Sequence, residues 1–234
     1  MRKNHIWALL FAIFFAVISL DAIAKPKPKP KETDWAKFYR YEEQNTKVSK
    51  RPTAVLMGDS ITDGWGRKFP EFFERNNFIC RGISGQTTSH MLVRFRADVL
   101  AHKPKYVVIL AGINDIALNN GIISIENIFG NIVSMVELAR QHKIKPVLCT
   151  LLPAHEAGWR KQIGNPTEKI LALNKLITDY AKAHRIPLVD YYSTMLSDKG
   201  DGSMISDYAR DAVHPNEKGY EIMEKTLLSS VRFR

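Results

Sequence analysis

The sequence predicts an α/β fold, a five-stranded parallel sheet covered by helices. Three observations carry that prediction. Short apolar runs alternate with longer amphipathic stretches, the pattern of strand–helix–strand units. Three of the runs lead into glycine-bearing turns, Gly58-Asp59-Ser60, Gly82-Ile83-Ser84-Gly85 and Gly112-Ile113-Asn114-Asp115. Such turns sit where open parallel sheets present ligand-binding loops. Finally, about 200 residues follow a distinctive N-terminal stretch, enough for one domain with a sizeable core.

The elements follow in order. Ala54 to Met57 reads as the first strand and Phe78 to Cys80 as a short second one. Tyr106 to Ala111, rich in β-branched residues, is the third; Pro146 to Leu152 and Pro187 to Tyr192 are the fourth and fifth. Between them, Met91, Leu92, Phe95, Val99 and Leu100 recur at helical spacing behind the caps Thr87, Thr88 and Ser89. A second stripe, Ile125, Ile128, Phe129, Ile132, Met135, Val136 and Ala139, is capped by Ser124. Asn165-Pro166 opens a third helix facing inward through Ile170, Leu173, Leu176, Ile177 and Tyr180. A last helix begins near Pro215 and carries Tyr220, Met223, Leu227 and Val231. Residues 32 to 50, with Trp35, Phe38 and Tyr39, are expected to form a helix lying on the body.

The N-terminus reads as a leader. A basic head, Met1 to His5, precedes an uncharged run from Ile6 to Leu20, and Ala22-Ile23-Ala24 offers small residues for cleavage after Ala24. Residues 1–24 are thus a secretory signal peptide, and the run is short for a membrane-spanning helix. An uncleaved anchor is the alternative. No Cys follows the run, which argues against lipid attachment there. Residues 25–50 comprise a Lys/Pro spacer, Lys25 to Lys31, and the N-terminal helix. Proline and like-charge repulsion keep the spacer extended, and it can touch a membrane or another anionic surface weakly. Residues 51–234 are the functional domain. An exported protein, periplasmic or extracellular, is the expectation.

The formal charge is +10, of which the leader contributes one unit and the spacer lysines four. The body is then near +5, without the interleaved basic and aromatic patch of a nucleic-acid binder. Cys80 and Cys149 fall on strands expected to lie three spacings apart, roughly 14 Å at about 4.8 Å each. That exceeds disulfide reach, so two free, buried thiols are predicted.

Four segments carry chemistry: the three turns above and Asp211-Ala212-Val213-His214. Ser60, turning out of a buried strand, is the candidate nucleophile, since a serine hydroxyl needs a partner base. His214 is the candidate base, and Asp211, three residues earlier, is placed to fix its tautomer. The backbone N–H of Ser60, that of Gly85 and the Asn114 amide form a candidate oxyanion hole. Asp59 is expected to hold its own turn and Asp115 to cap the one following it. Of the other histidines, His5 is in the leader and His102, His142 and His184 fall at helix ends. His90 and His155 are harder to dismiss, but neither has an Asp at this spacing. No metal or cofactor is expected: no HExxH, clustered Cys or Gly-rich phosphate-binding motif occurs.

These residues resemble the SGNH/GDSL hydrolase superfamily, whose signature residues match Ser60, Gly85, Asn114 and His214, with Asp211 as triad partner. The resemblance spans roughly residues 52 to 232, with Ile61 in place of the family's Leu. Gly82-Ile83-Ser84-Gly85-Gln86-Thr87-Thr88 looks like the branch of platelet-activating-factor acetylhydrolases and carbohydrate O-acetylesterases. The resemblance implies a three-layer α/β/α sandwich, flavodoxin-like, that cleaves esters without a cofactor. The expectation is an exported serine esterase removing short acyl groups, chiefly acetyl, from a small-molecule or polysaccharide ester. Trp65, Trp159, Arg160 and Tyr208, with Tyr191, are the candidate substrate contacts. A lysophospholipase or thioesterase, or a carbohydrate-binding protein without turnover, are the alternatives.

Overall fold

The computed structural model describes residues 34–234; the expected leader and Lys/Pro spacer lie outside them. The described chain runs α1 (Tyr39–Thr46), β1 (Ala54–Gly58), α2 (Ser60–Lys68), α3 (Pro70–Asn76), β2 (Phe78–Gly82), α4 (Thr88–Asp98) and β3 (Tyr106–Leu110). It continues with α5 (Ile113–Ile116), α6 (Ile125–Gln141), β4 (Lys145–Cys149), α7 (Thr167–Ala183), β5 (Leu188–Val189), α8 (Tyr191–Met195) and α9 (Glu217–Ser230).

All five strands are parallel, in the order β2-β1-β3-β4-β5. β1 and β3 are buried along their whole length, which a sheet covered on both faces requires. Because the chain steps outward from β1 to β2 and then returns across β1 to β3, right-handed crossovers place α2 and α3 on one face. They place α4, α6 and α7 on the other, where α4 packs on α6 and α6 on α7. On the first face Trp65 of α2 stacks on Phe72 of α3 and lies against Tyr220 of α9. The result is the three-layer α/β/α sandwich that the periodicity and the resemblance implied.

Two strands are shorter than their apolar runs. β5 ends at Val189 because Asp190 caps α8, its Oδ1 accepting the Ser193 N–H at 3.1 Å. Beyond β4, Leu151 exchanges both backbone bonds with the Asn174 amide (2.7 and 3.2 Å) rather than with a strand. The N-terminal helix spans Tyr39–Thr46 and rests on α4, Asn45 Nδ2 donating to Asp98 Oδ1 at 2.8 Å.

Cys80 on β2 and Cys149 on β4 are separated by β1 and β3, and both are free thiols. Cys149 is buried as expected. Cys80 is only partly buried, because β2 is the edge strand, and its thiol donates to the Thr62 carbonyl at 3.2 Å.

Candidate active site

The carboxyl edge of the sheet gathers the four segments. At the end of β1 the chain must turn at Gly58, where a Cβ would come within 2.1 Å of Thr62 Oγ1. Asp59, 1% exposed, then caps α2, its Oδ1 accepting the Ile61 N–H at 3.0 Å. This makes Ser60 the first residue of α2 and lifts its hydroxyl to the edge. Burial pushes the Asp59 carboxyl up to about 7, against the pull of the Ile61 N–H.

Ser60 Oγ lies 2.8 Å from His214 Nε2, although 154 residues separate them. His214 Nδ1 lies 2.9 and 3.0 Å from the two oxygens of Asp211. A carboxylate only accepts, so Nδ1 carries the hydrogen and the Nε2 lone pair faces the serine. Asp211 also builds the turn. Its Oδ1 accepts the Val213 and His214 N–H groups at 3.0 and 2.8 Å, and Arg210 pairs with its Oδ2 at 3.1 Å. Burial pushes its carboxyl up, but the two N–H groups and the imidazole outweigh that and hold it at about 2.

Gly85 and Asn114 stand nearby on the loops after β2 and β3. Gly85 has a left-handed φ of +81°, and a Cβ there would meet no protein atom within 4 Å. Its glycine is therefore explained by backbone conformation, not by crowding within the protein. Asn114, 2% exposed, donates one N–H to the Gln86 carbonyl at 3.0 Å and keeps the second. Asn119 Nδ2 donates to Asn114 Oδ1 at 2.8 Å, which fixes the amide orientation. Asp115 caps α4, not its own turn: it accepts the Thr88 N–H and hydroxyl at 2.8 and 2.7 Å. Burial pushes it up to about 6.

The aromatic expectations divide. Trp159, 44% exposed, sits beside the site, its ring centroid 6.0 Å from that of His214 and its Nε1 donating to Asn119 Oδ1 at 2.9 Å. Arg160 follows it in the loop, its Nε buried without a hydrogen-bond partner. Tyr208 packs beside α9 with Lys218 Nζ 5.8 Å from its ring centre. Trp65 is not a substrate contact. It is 2% exposed, because α2 turns it with Ile61 into the core, among Phe72, Phe73 and Tyr220. Tyr191, 1% exposed, is likewise core. His90 caps α4 through Thr87, and Trp35 meets its ring edge-on. His155 lines a cavity of about 300 Å³ that Asp211 and Ala212 also line.

Asn119 was not foreseen; its partners lie 5, 34 and 40 residues away, and no local pattern marks it. Arg94 was also missed. It is fully buried and donates to Gln86 Oε1 (2.6 Å), Asp98 Oδ2 (2.8 Å) and the carbonyls of Gly58 (3.2 Å) and Arg81 (2.9 Å). Among the described residues no three His, Cys, Asp or Glu side chains gather as a metal would need.

Comparison with known proteins gives the family. The model of the GDSL-like lipase/acylhydrolase family matches residues 56–222. Curated relatives include a Bacillus subtilis protein named as the uncharacterized lipoprotein YqeF, 31% identical over 66% of this chain and 76% of its own. The Bos taurus isoamyl acetate-hydrolyzing esterase 1 homolog is 29% identical over 74% and 78%. An acetylxylan esterase of Xylanibacter ruminicola is 26% identical over 76% of this chain but 42% of its own length. Among solved structures, a GDSL-like lipase of Bacteroides thetaiotaomicron superposes with a TM-score of 0.80 at 44% identity, covering 83% of this chain and 96% of the other. The chain belongs to the GDSL-like lipase/acylhydrolase family and is an ester-hydrolysing serine hydrolase.

Proposed function

We propose that this enzyme is exported and removes short acyl groups, principally acetyl, from carbohydrate esters, with Ser60, His214 and Asp211 as its triad. The observation that carries the reading is the unbroken line from Ser60 Oγ through the His214 ring to Asp211. Ser60 Oγ attacks the ester carbonyl while His214 Nε2 takes its proton. Negative charge develops on the carbonyl oxygen, where the N–H groups of Ser60 and Gly85 and the second Asn114 N–H would hold it. His214 then protonates the departing sugar oxygen, leaving the acyl group on Ser60. Water, deprotonated by His214, repeats the sequence in reverse and releases the acid. Asp211, held ionised, stabilises the imidazolium that each half-reaction forms.

Acetyl preference draws on the relatives, several of which are named for acetyl esters. Trp159 supports a carbohydrate acceptor, because an exposed aromatic face beside His214 suits a sugar ring. Export rests on residues 1–24, ahead of the spacer and helix of 25–50 and the hydrolase body of 51–234.

The test is p-nitrophenyl acetate hydrolysis by wild type and Ser60→Ala, where a loss of at least about 10⁴-fold is expected. Equal rates in the two proteins would end the triad assignment. An acyl series from acetyl to decanoyl should then fall steeply with length, and acetylated polysaccharides should release acetate. A preference for long chains would remove the acetyl reading while leaving the triad intact.

A further inference from the structure

The amino edge of the sheet, opposite Ser60, holds a second built feature. A cavity of about 530 Å³ opens where β3, β4 and β5 begin. Five cations line it: Arg140, Lys143, Lys145, Arg185 and Arg232. Its floor is apolar, from Tyr106, Ile144, Ile186 and Val231, all buried. No carboxylate among the described residues pairs with any of the five. Their polar contacts leave the charges unanswered: Arg140 donates to the His184 carbonyl at 2.8 Å, and Lys145 Nζ lies 5.4 Å from the Tyr106 ring centre.

Backbone conformation fixes where two of the five cations stand. Lys143 and Arg185 adopt left-handed φ of 57° and 53° just past the ends of α6 and α7. That position is least strained for glycine. Lys37 and Lys103 adopt the same conformation elsewhere, so what sets Lys143 and Arg185 apart is that both stand at one cavity. A helix C-terminus does favour a cation, but it does not ask for that cation at the left-handed residue, nor explain Lys145 and Arg232 at the same mouth.

We propose that this cavity binds a ligand bearing clustered phosphate groups. Five exposed cations without a carboxylate partner around one opening favour a ligand with several negative charges close together. A phosphate group can carry nearly two, a carboxylate one. Three of the five are arginines, whose planar forks match phosphate oxygens in pairs. Bound on this edge, the ligand would leave Ser60 facing away from it, so the site anchors the enzyme and does not take part in its chemistry.

The test uses the full chain with sodium tripolyphosphate, and vesicles of phosphatidylcholine with and without phosphatidylglycerol. Wild type is compared with the double variant Lys143→Gly/Arg185→Gly and with Arg232→Gln. Each variant keeps the spacer lysines, so any loss of binding traces to the cavity. The double variant should bind at least about tenfold more weakly, melt no lower than wild type because the left-handed strain is relieved, and hydrolyse p-nitrophenyl acetate at the wild-type rate. Arg232→Gln should weaken binding in the same direction. Tripolyphosphate binding alone assigns a soluble ligand, and binding to anionic vesicles alone assigns lipid headgroups; either supports the site. Wild type that binds neither probe, or variants that bind like wild type, would overturn it. Ester hydrolysis is read separately, so this result and the fate of the triad are distinguishable.

Discussion

Asn119 stands between two groups to which the proposed mechanism gives a part, taking the Trp159 indole N–H on its oxygen and giving its own N–H to Asn114 Oδ1. Its polarity in both directions is what sets the Asn114 amide. Replacing Asn119 with Asp keeps the acceptor for Trp159 but turns the donor facing Asn114 into a second acceptor. Asn114 then loses its anchor, and a misaimed donor is costly when charge develops in the transition state. The expected outcome is a fall in kcat of about tenfold or more with little change in KM, whereas Trp159→Phe, which keeps a ring beside His214, should act mainly on KM. Steady-state kinetics on p-nitrophenyl acetate and on an acetylated sugar separate the two. Asp211 makes a different demand. Its carboxyl, held at about 2, stays ionised across the working range, so it adds no ionisation of its own above pH 4. The acid limb of kcat/KM should therefore have a slope of one, not two. Asp211→Asn should lower kcat on the order of 10³-fold or more by disturbing the imidazole tautomer.

Between elements, Arg94 ties the ends of β1 and β2 together through the carbonyls of Gly58 and Arg81, and ties both to the loop carrying Gln86. Arg94→Met would remove the ion-pair partner of the Asp98 carboxylate, which is 4% exposed in its side chain and keeps only the Asn45 amide, and would take one donor from the Gly58 and Arg81 carbonyls. Breaking one side of a buried pair costs about 3–5 kcal/mol, which a urea titration would register as a large drop in midpoint. Arg94→Met/Asp98→Leu should recover only part of that loss, since the pair is then gone but buried Arg81 and the Asn45 amide lose Asp98 as a partner. This network was not readable in the chain, because an arginine on an amphipathic helix looks like a solvated one until the strand ends beneath it are known. Strands β1 to β4 were readable, since buried parallel strands must be continuous apolar runs. β5 and α8 were misjudged for a reason that lies in Asp190: its side chain redirects an apolar stretch into a helical turn. Ser60, His214, Asp211, Gly85 and Asn114 were legible because each sits at a strand end or a helix entry, where backbone geometry is local. Trp65 was misread although the signal was present. Ile61 and Trp65 share a helix face four residues apart, and that face had to be buried.

At the scale of the whole molecule, two carboxyls beneath the active site oppose each other's ionisation and tie global stability to pH. Burial raises Asp59 to about 7 and Asp115 to about 6, with Asp115 contributing to the rise at Asp59. In the unfolded chain both ionise near pH 4. Between about pH 4 and 7 the folded protein therefore holds protons that the unfolded chain has released. Stability must fall as pH rises through that window and level off above it. Each tenfold change in proton affinity is worth about 1.4 kcal/mol, so the two together set an upper bound of about 7 kcal/mol. Asp211 acts in the opposite sense, but only below about pH 4, where its native charge begins to be lost. Asp59→Asn isolates the main contributor: the amide oxygen can still accept from Ile61 N and cap α2, yet there is no charge to bury. Urea unfolding of wild type should give a lower midpoint at pH 8 than at pH 5, and Asp59→Asn should flatten that difference and exceed wild type at pH 8. An Asn variant less stable than wild type at pH 8 would mean that the Asp59 carboxylate is stabilised as an anion, and that the tie between pH and stability lies elsewhere in the fold.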